Sequence, residues 1–504
     1  MNHRVLFFLA LCYLSSCVRA SGNMCGVTQC FCAGFRVQCQ NKSLKEIPEP
    51  NSVGSAAIEY LNLDRNSIIS LNNVQLFDKL KELTLSWNKI SDTSALLTLE
   101  KLEVLDLSHN SIDYLDELTF GAMKNLWKIN LSFNNLRILE NHIFPATLLS
   151  LSWLDLSHNG MTEILPYAFG ELPKFRSLDL SHNQLQMNKQ DSKIFRGLGA
   201  LESLSLQNNS MHDGSISSVF RYLSNLRSLH LDDNGIAELR TDSFANLTNL
   251  KNLTLSKNQL KEVPTDGLKC MPFLERLDLS INPIEGIWNH TFPLNVKRNL
   301  KFLNMSHTKI NKIGSHTLRN ITSLNTVDLS FCLFLENISP YAFYGSFHHI
   351  SMVYLNDGVL NTLSPLLLPW DTLTVLTLND NLWNCDCNLA WMNNSTFDIT
   401  SNLRCSLPYD LAGKLISQVK PHEFICLSSY NHAVFITKIV LSIAAALIFI
   451  SLVVLLLHRY KRWIPCLNDV PGKYVTLRTK EVETISSLVV HYRDDEVKTG
   501  IVEL

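Results

Sequence analysis

The sequence predicts an α/β solenoid of stacked repeats: short parallel strands line a concave face, a cysteine cap closes each end, and one transmembrane helix and a short disordered tail follow. Three observations predict it. The phrase L-x-x-L-x-L-x-x-N-x-L recurs in register from Asn66 to Asn381, and self-similarity at a fixed period of roughly 20–50 residues marks units that bury a core only against their neighbours. A cluster of four cysteines between residues 25 and 39 stands before the repeats, and another of four between residues 385 and 426 stands behind them. Beyond the second group, IVLSIAAALIFISLVVLLL runs from 439 to 457 without a charge.

Composition narrows the function. Lys and Arg number 44 against 46 Asp and Glu, a formal charge of −2, so the basic excess of a nucleic-acid binder is missing and no nucleic-acid partner is expected. With 46% hydrophobic and 18% charged residues, the chain is too apolar for disorder and contains a part that sits in lipid.

In chain order, residues 1–20 read as a signal peptide: Arg4, the apolar run Val5 to Tyr13, then small side chains at Val18 and Ala20 before a cut at Ser21. The run 439–457, at about 1.5 Å per residue, crosses about 30 Å of hydrocarbon. Lys438 is the one Lys or Arg in the seventeen residues before it, whereas Arg459, Lys461, Arg462 and Lys473 follow within seventeen. Positive charge therefore places the C-terminal side in the cytoplasm. The expected topology is single-pass type I in the plasma membrane, with a juxtamembrane linker over 429–438 and a cytoplasmic tail over 458–504.

The repeat appears as LKELTLSWNKI ending at Ile90, LEVLDLSHNSI at Ile112, LSWLDLSHNGM at Met161, LRSLHLDDNGI at Ile236 and LERLDLSINPI at Ile284. Its Asn column runs through Asn66, Asn88, Asn110, Asn134, Asn159, Asn183, Asn209, Asn234, Asn258 and Asn282, lapses at Thr308, Cys332 and Gly358, and returns at Asn381. That makes fourteen repeats spaced by 22 to 26 residues over 53–382. Leucines at the first, fourth and sixth positions point into one core while their neighbours alternate outward on a strand. The Asn side chain satisfies backbone groups where the chain leaves the strand, so repeats eleven to thirteen are expected to be irregular. Phe120, Phe144, Phe169, Phe195, Phe220, Phe244, Phe292 and Phe343 fill the core from the convex side.

Over roughly residues 25–426 the chain resembles the leucine-rich repeat family. Cys25, Cys30, Cys32 and Cys39, within 21–52, and Cys385, Cys387, Cys405 and Cys426, within 383–428, look like the caps of its extracellular members. The resemblance implies the pairs Cys25–Cys32, Cys30–Cys39, Cys385–Cys405 and Cys387–Cys426. Zinc is the competing reading of clustered cysteines, but a secretory signal places them in an oxidising compartment. Cys270 and Cys332 are expected to be buried thiols rather than a pair.

No G-x-S-x-G, G-x-x-x-x-G-K-[ST] or H-E-x-x-H occurs, so no enzyme is expected and no cofactor or metal is implied. His109, His158, His182 and His307 recur in Ser-His phrases; a metal site or a pH-sensitive patch can be drawn there, as can mere repetition of the wording. The concave surface is the expected ligand platform, and Tyr60, Asp64, Arg65, Glu82, Trp87, Asp106 and His109 present outward on repeats one to three. Sequons begin at Asn41, Asn130, Asn208, Asn246, Asn252, Asn289, Asn304, Asn320, Asn337, Asn393 and Asn394, a density that suits a surface glycoprotein. In the tail, Tyr474 and Leu477 frame a Y-x-x-Φ signal for an endocytic adaptor, Cys466 stands where palmitoylation occurs, and Val502-Glu503-Leu504 fits a PDZ groove. The reading is a receptor or adhesion protein binding an extracellular protein or glycoconjugate. The alternative is an innate immune co-receptor that resembles a Toll-like receptor ectodomain without its signalling domain.

Overall fold

A computed structural model describes residues 30–50, 58–186, 193–211, 215–239, 242–288, 291–319, 321–394, 402–426 and 429–461. They fall into two units that divide after Cys426.

In the first unit the apolar phrase folds as its spacing demands. Three-residue strands at Tyr60–Asn62, Glu82–Thr84, Val104–Asp106, Lys128–Asn130, Trp153–Asp155 and Ser177–Asp179 pair in parallel, each residue beside its counterpart one repeat on. The pairing continues to Val375–Thr377 and yields a sheet of sixteen strands among the described residues. In nearly every strand the middle side chain is buried and its neighbours are half-exposed, as in Tyr60–Asn62 and Trp153–Asp155. The leucines before and after them, such as Leu80 and Leu85 around Leu83, are buried too, each stabilising the stack by about 2 kcal/mol. All eight phenylalanines of the convex column are buried, and Phe120, Phe144 and Phe169 stack with centroids 5.4 and 5.6 Å apart.

The Asn column ties one repeat to the next. Nδ2 of Asn183 donates to the carbonyls of Leu156, Leu180 and Ser181 at 3.1, 2.9 and 3.1 Å, while Oδ1 accepts from the amides of Asn159 and Met161 at 3.1 and 2.9 Å. Five backbone groups of a buried turn are thereby satisfied by one side chain. Where the column lapses, the strands of repeats eleven to fourteen still pair residue for residue, from Phe302–Asn304 through Thr326–Asp328 and Met352–Tyr354 to Val375–Thr377. The pairing of the sheet therefore runs unbroken through repeats eleven to thirteen. Strand register rests on the strands' own hydrogen bonds, and the lapses are partly mended. Thr308 Oγ1 donates to the Met305 carbonyl at 2.8 Å, Cys332 Sγ lies 3.3 Å from the same oxygen, and a Cβ on Gly358 would meet Asn381 Oδ1 at 2.8 Å, so the next Asn occupies that space.

Each end is covered. Before the first repeat, Phe31–Ala33 and Arg36–Gln38 form an antiparallel hairpin, and Arg36–Gln38 pairs in parallel with Tyr60–Asn62, which removes an open edge. A disulfide joins Cys30 to Cys39; Cys32 is disulfide-bonded, and Cys25 lies outside the described residues. At the other end Cys385 is bonded to Cys405 and Cys387 to Cys426. The cap packs Trp383 over the last repeat, its indole N–H donating to the Leu378 carbonyl at 3.2 Å. Cys270 and Cys332 are both unpaired, but only Cys332 is buried; Cys270 is partly exposed, a correction to the expectation for both. Burial pushes the Cys332 thiol up, against hydrogen bonds from Thr308.

In the second unit a helix spans Ser429–Lys461, and its stretch Thr437–Leu456 has a mean hydropathy of 3.1, long and apolar enough to cross a membrane. It starts two residues ahead of the span read from the sequence and ends one short of it. Residues 1–20, which the sequence predicts to be a signal peptide, and Cys466, Tyr474, Leu477 and the C-terminal residues lie outside the described residues.

Candidate ligand-binding face

The turn that follows each strand places one side chain on the rim of the sheet. The residue immediately before the Asn column adopts left-handed backbone in repeat after repeat: Arg65, Trp87, His109, Phe133, His158, His182 and Asn208 have φ of 53 to 57°. Such a conformation costs a non-glycine residue about 1–2 kcal/mol, offset here by the hydrogen bonds that the neighbouring Asn makes within the same turn.

Because consecutive turns superimpose, their rings stack. Centroids of Trp87 and His109 lie 3.9 Å apart, His109 and Phe133 4.1 Å, Phe133 and His158 4.0 Å, and His158 and His182 4.0 Å, with interplanar angles of 14° or less. The column is terminated at one end by the Arg65 guanidinium, 5.9 Å over Trp87, and at the other by Asn208, whose Nδ2 is 2.9 Å from His182 Nδ1. An amide N–H donates in that bond, so Nδ1 accepts and the His182 proton resides on Nε2. Trp87 is 53% exposed and Phe133 42%.

Beside the rings runs a row of carboxylates on the last strand position. Asp106, Asp155 and Asp179 each accept the amide of the serine two residues on through Oδ1, at 2.9, 2.8 and 2.8 Å. Asp155 and Asp179 stand opposite each other on adjacent strands, where like charges are unfavourable. Burial, and then the Asp179 charge, raise the Asp155 carboxyl above its ordinary value against the hydrogen bonds from Ser157. The imidazoles move the other way: burial lowers His109 against the pull of Asp106, and burial followed by His182 lowers His158 against Asp155 and Asp179. A group depressed in this way stabilises the fold above its unfolded value, near 6.5, and that contribution is lost as pH falls through the folded value.

The residues read from the sequence distribute unevenly over this face. Arg65, Trp87 and His109 belong to the rim column. Tyr60 is covered by the cap, with the Arg36 guanidinium 3.8 Å over its ring. Asp64 holds a turn by accepting the Ser86 amide at 2.8 Å, Asp106 holds another, and Glu82 is a half-buried first residue of its strand. Phe133 and Asn208 were not singled out as partners of the histidines. The signal lay in the position rather than the residue type, since all of them directly precede the ladder Asn or its neighbour in register.

The opposite rim carries exposed ion pairs: Glu59 with Lys81 at 2.9 Å, Glu202 between Arg176 and Arg227 at 3.1 and 3.5 Å, and Glu275 between Lys251 and Lys301 at 3.2 and 2.8 Å. Pairs so exposed contribute little to stability. Among the sequons, Asn130 and Asn304 occupy the carboxylate row and Asn252 opens its strand, while Asn208 ends the ring column. Asn41, Asn246, Asn337, Asn393 and Asn394 lie elsewhere on the unit, and Asn289 and Asn320 lie outside the described residues.

The repeat, the Asn ladder and the capped ends define a leucine-rich repeat solenoid. The leucine rich repeat family model matches residues 91–136, 130–185 and 224–284. Among curated proteins the chain is 35% identical over 104 residues to leucine-rich repeat-containing G-protein coupled receptor 5 of Rattus norvegicus, covering 20% of this chain and 11% of that one. It is 33% identical over 117 residues to Toll-like receptor 4 of Equus caballus, covering 22% and 13%. The matches thus span a small part of these relatives. Among solved structures, the Toll–Spatzle complex of Drosophila superposes with a TM-score of 0.55 at 21% identity, covering 73% of this chain and 61% of that one; this likeness is one of fold.

Proposed function

We propose that the chain is a single-pass cell-surface receptor or adhesion protein whose solenoid faces outward and takes a protein or glycoconjugate ligand. The observation that carries the reading is the rim column of stacked rings, in which Trp87 and Phe133 are exposed and the three histidines half-buried, because exposed aromatics held in a rigid stack have the composition of a docking surface. Arg65, Trp87 and His109 form its N-terminal end, on repeats that carry no sequon on their strands. Glycans at Asn130, Asn208, Asn252 and Asn304 would obstruct the sheet further along. The apolar stretch Thr437–Leu456 and the partial matches to membrane receptors support the anchor. The innate immune alternative draws on the partial match to Toll-like receptor 4.

Cells displaying the full chain, probed in parallel with cell-surface proteins, lipids and microbial polysaccharides, separate the two. A membrane protein captured in trans is the expected result. Capture of lipid or polysaccharide with no protein partner would give way to the immune reading.

A further inference from the structure

Six residues past the ladder Asn282, and apart from the rim column, Trp288 is 60% exposed. Its backbone is fixed on both sides: Ile287 bridges in parallel to Ile313, the Trp288 amide donates to Thr291 Oγ1 at 2.8 Å, and the Thr291 amide donates to the Trp288 carbonyl at 3.1 Å. Thr265 Oγ1 in turn donates to the Thr291 carbonyl at 2.7 Å. A Cβ on Gly286 would overlap the six-membered part of the indole, so the ring takes space that glycine alone leaves open. The ring stands between two cavities of about 800 and 400 Å³ and lines both. Buried Leu260 and Val263 wall the larger one, and exposed Gln259, Glu262 and Glu285 edge it. An aromatic ring, an apolar wall and exposed carboxylates and amide together suit a sugar: the C–H face of a pyranose lies on the ring while its hydroxyls donate to the carboxylates.

The sequence supplies such a sugar. Asn289 follows Trp288 directly and opens the sequon that Thr291 completes, so the chain itself ties its Cα about 3.8 Å from that of Trp288. A ligand tethered so closely reaches an effective concentration of about millimolar, and weak sugar contacts then suffice. We propose that Asn289 carries an N-linked glycan whose inner sugars lie on Trp288 and along the larger cavity, a carbohydrate site filled by the chain's own glycan. The proposal rests on the outward-facing solenoid of the reading above, because such a glycan is attached in the secretory pathway. There Asn289 Nδ2 bonds to the anomeric carbon of a lipid diphosphate-linked oligosaccharide; the bond from that carbon to the diphosphate breaks, and the amide proton leaves to a base of the transferase. Nothing is oxidised or reduced. The glycan covers the indole and ties repeat ten to repeat nine, which removes Trp288 from the exposed rings open to a ligand and leaves Trp87 among them.

The test uses the full chain from glycosylating cells, held in phosphatidylcholine nanodiscs and treated with peptide-N-glycosidase without denaturation, with release at each sequon read by mass spectrometry of the glycopeptides. Asn289 should be occupied, and its glycan should leave about tenfold faster from Trp288→Ala than from the unchanged chain, while release at Asn246 stays within about twofold. Gly286→Ala, which displaces the indole without removing it, should act in the same direction. Asn289→Gln and Trp288→Ala should each lower the unfolding midpoint, and the double variant should fall no further than the lower of the two, as coupled sites do. Should Trp288→Ala fail to fold, Glu262→Ala with Glu285→Ala, both at exposed positions, is read by the same release and should speed it about threefold. An unchanged release rate in these variants, or additive losses in the double variant, would overturn the proposal. Glycans at the other sequons with Asn289 bare would sink the proposal alone; a chain without any glycan would sink the outward-facing reading with it.

Discussion

Cells producing Cys387→Ala should deliver little of the chain to their surface, with the bulk retained and sensitive to protease. Losing the Cys387–Cys426 bridge is expected to cost about 2–5 kcal/mol, as removal of a native disulfide commonly does. The cost falls on the cap that covers the last repeat, where Leu378 and Trp383 are buried and Leu376 is packed against the core from a partly exposed position. An end repeat without its cap exposes the same apolar surface that the other repeats bury against one another. Surface delivery equal to that of the unchanged chain would remove the cap from the account.

The second large effect is expected inside the stack. Asn183→Ala should lower the unfolding midpoint sharply, by about 3 kcal/mol of stability, since five backbone partners of a buried turn lose their side-chain bonds together. Thr308→Ala should cost about 1 kcal/mol, because one hydroxyl bond to Met305 and one contact with Cys332 are at stake. Thermal melts of the two variants side by side measure the difference; equal losses would mean that the ladder is not what holds the turns.

The fold was legible because its signal is repetition. One phrase fixes which leucines turn inward and where each strand ends, and fourteen copies leave little freedom of register. The rim was less legible. Reading His109, His158 and His182 as a wording of the repeat treats them as recurrences of a short phrase, whereas the physics lies in the column, where Trp87 extends the histidines and Phe133 closes the gap between His109 and His158. Left-handed backbone at that position superimposes the side chains, and no single repeat reveals that consequence. At Thr308, Cys332 and Gly358 the Asn side chain is missing, and strand hydrogen bonds carry the pairing of the sheet through all three repeats. Tyr60 and Asp64 are outward in register, and only packing shows that Arg36 covers the one and Ser86 engages the other.

The most direct measurement is the affinity of the captured ligand for three variants of the full chain: Trp87→Ala, Arg65→Glu and, as a control on the same rim, Lys257→Ala, whose ammonium is paired with Asp233 at 2.6 Å. If the N-terminal end of the ring column is the docking surface, the first two should each weaken binding by about 2 kcal/mol, roughly thirtyfold, while the control stays near the unchanged chain. Equal affinity in all three would contradict the account and move the site to the convex face or to the C-terminal repeats.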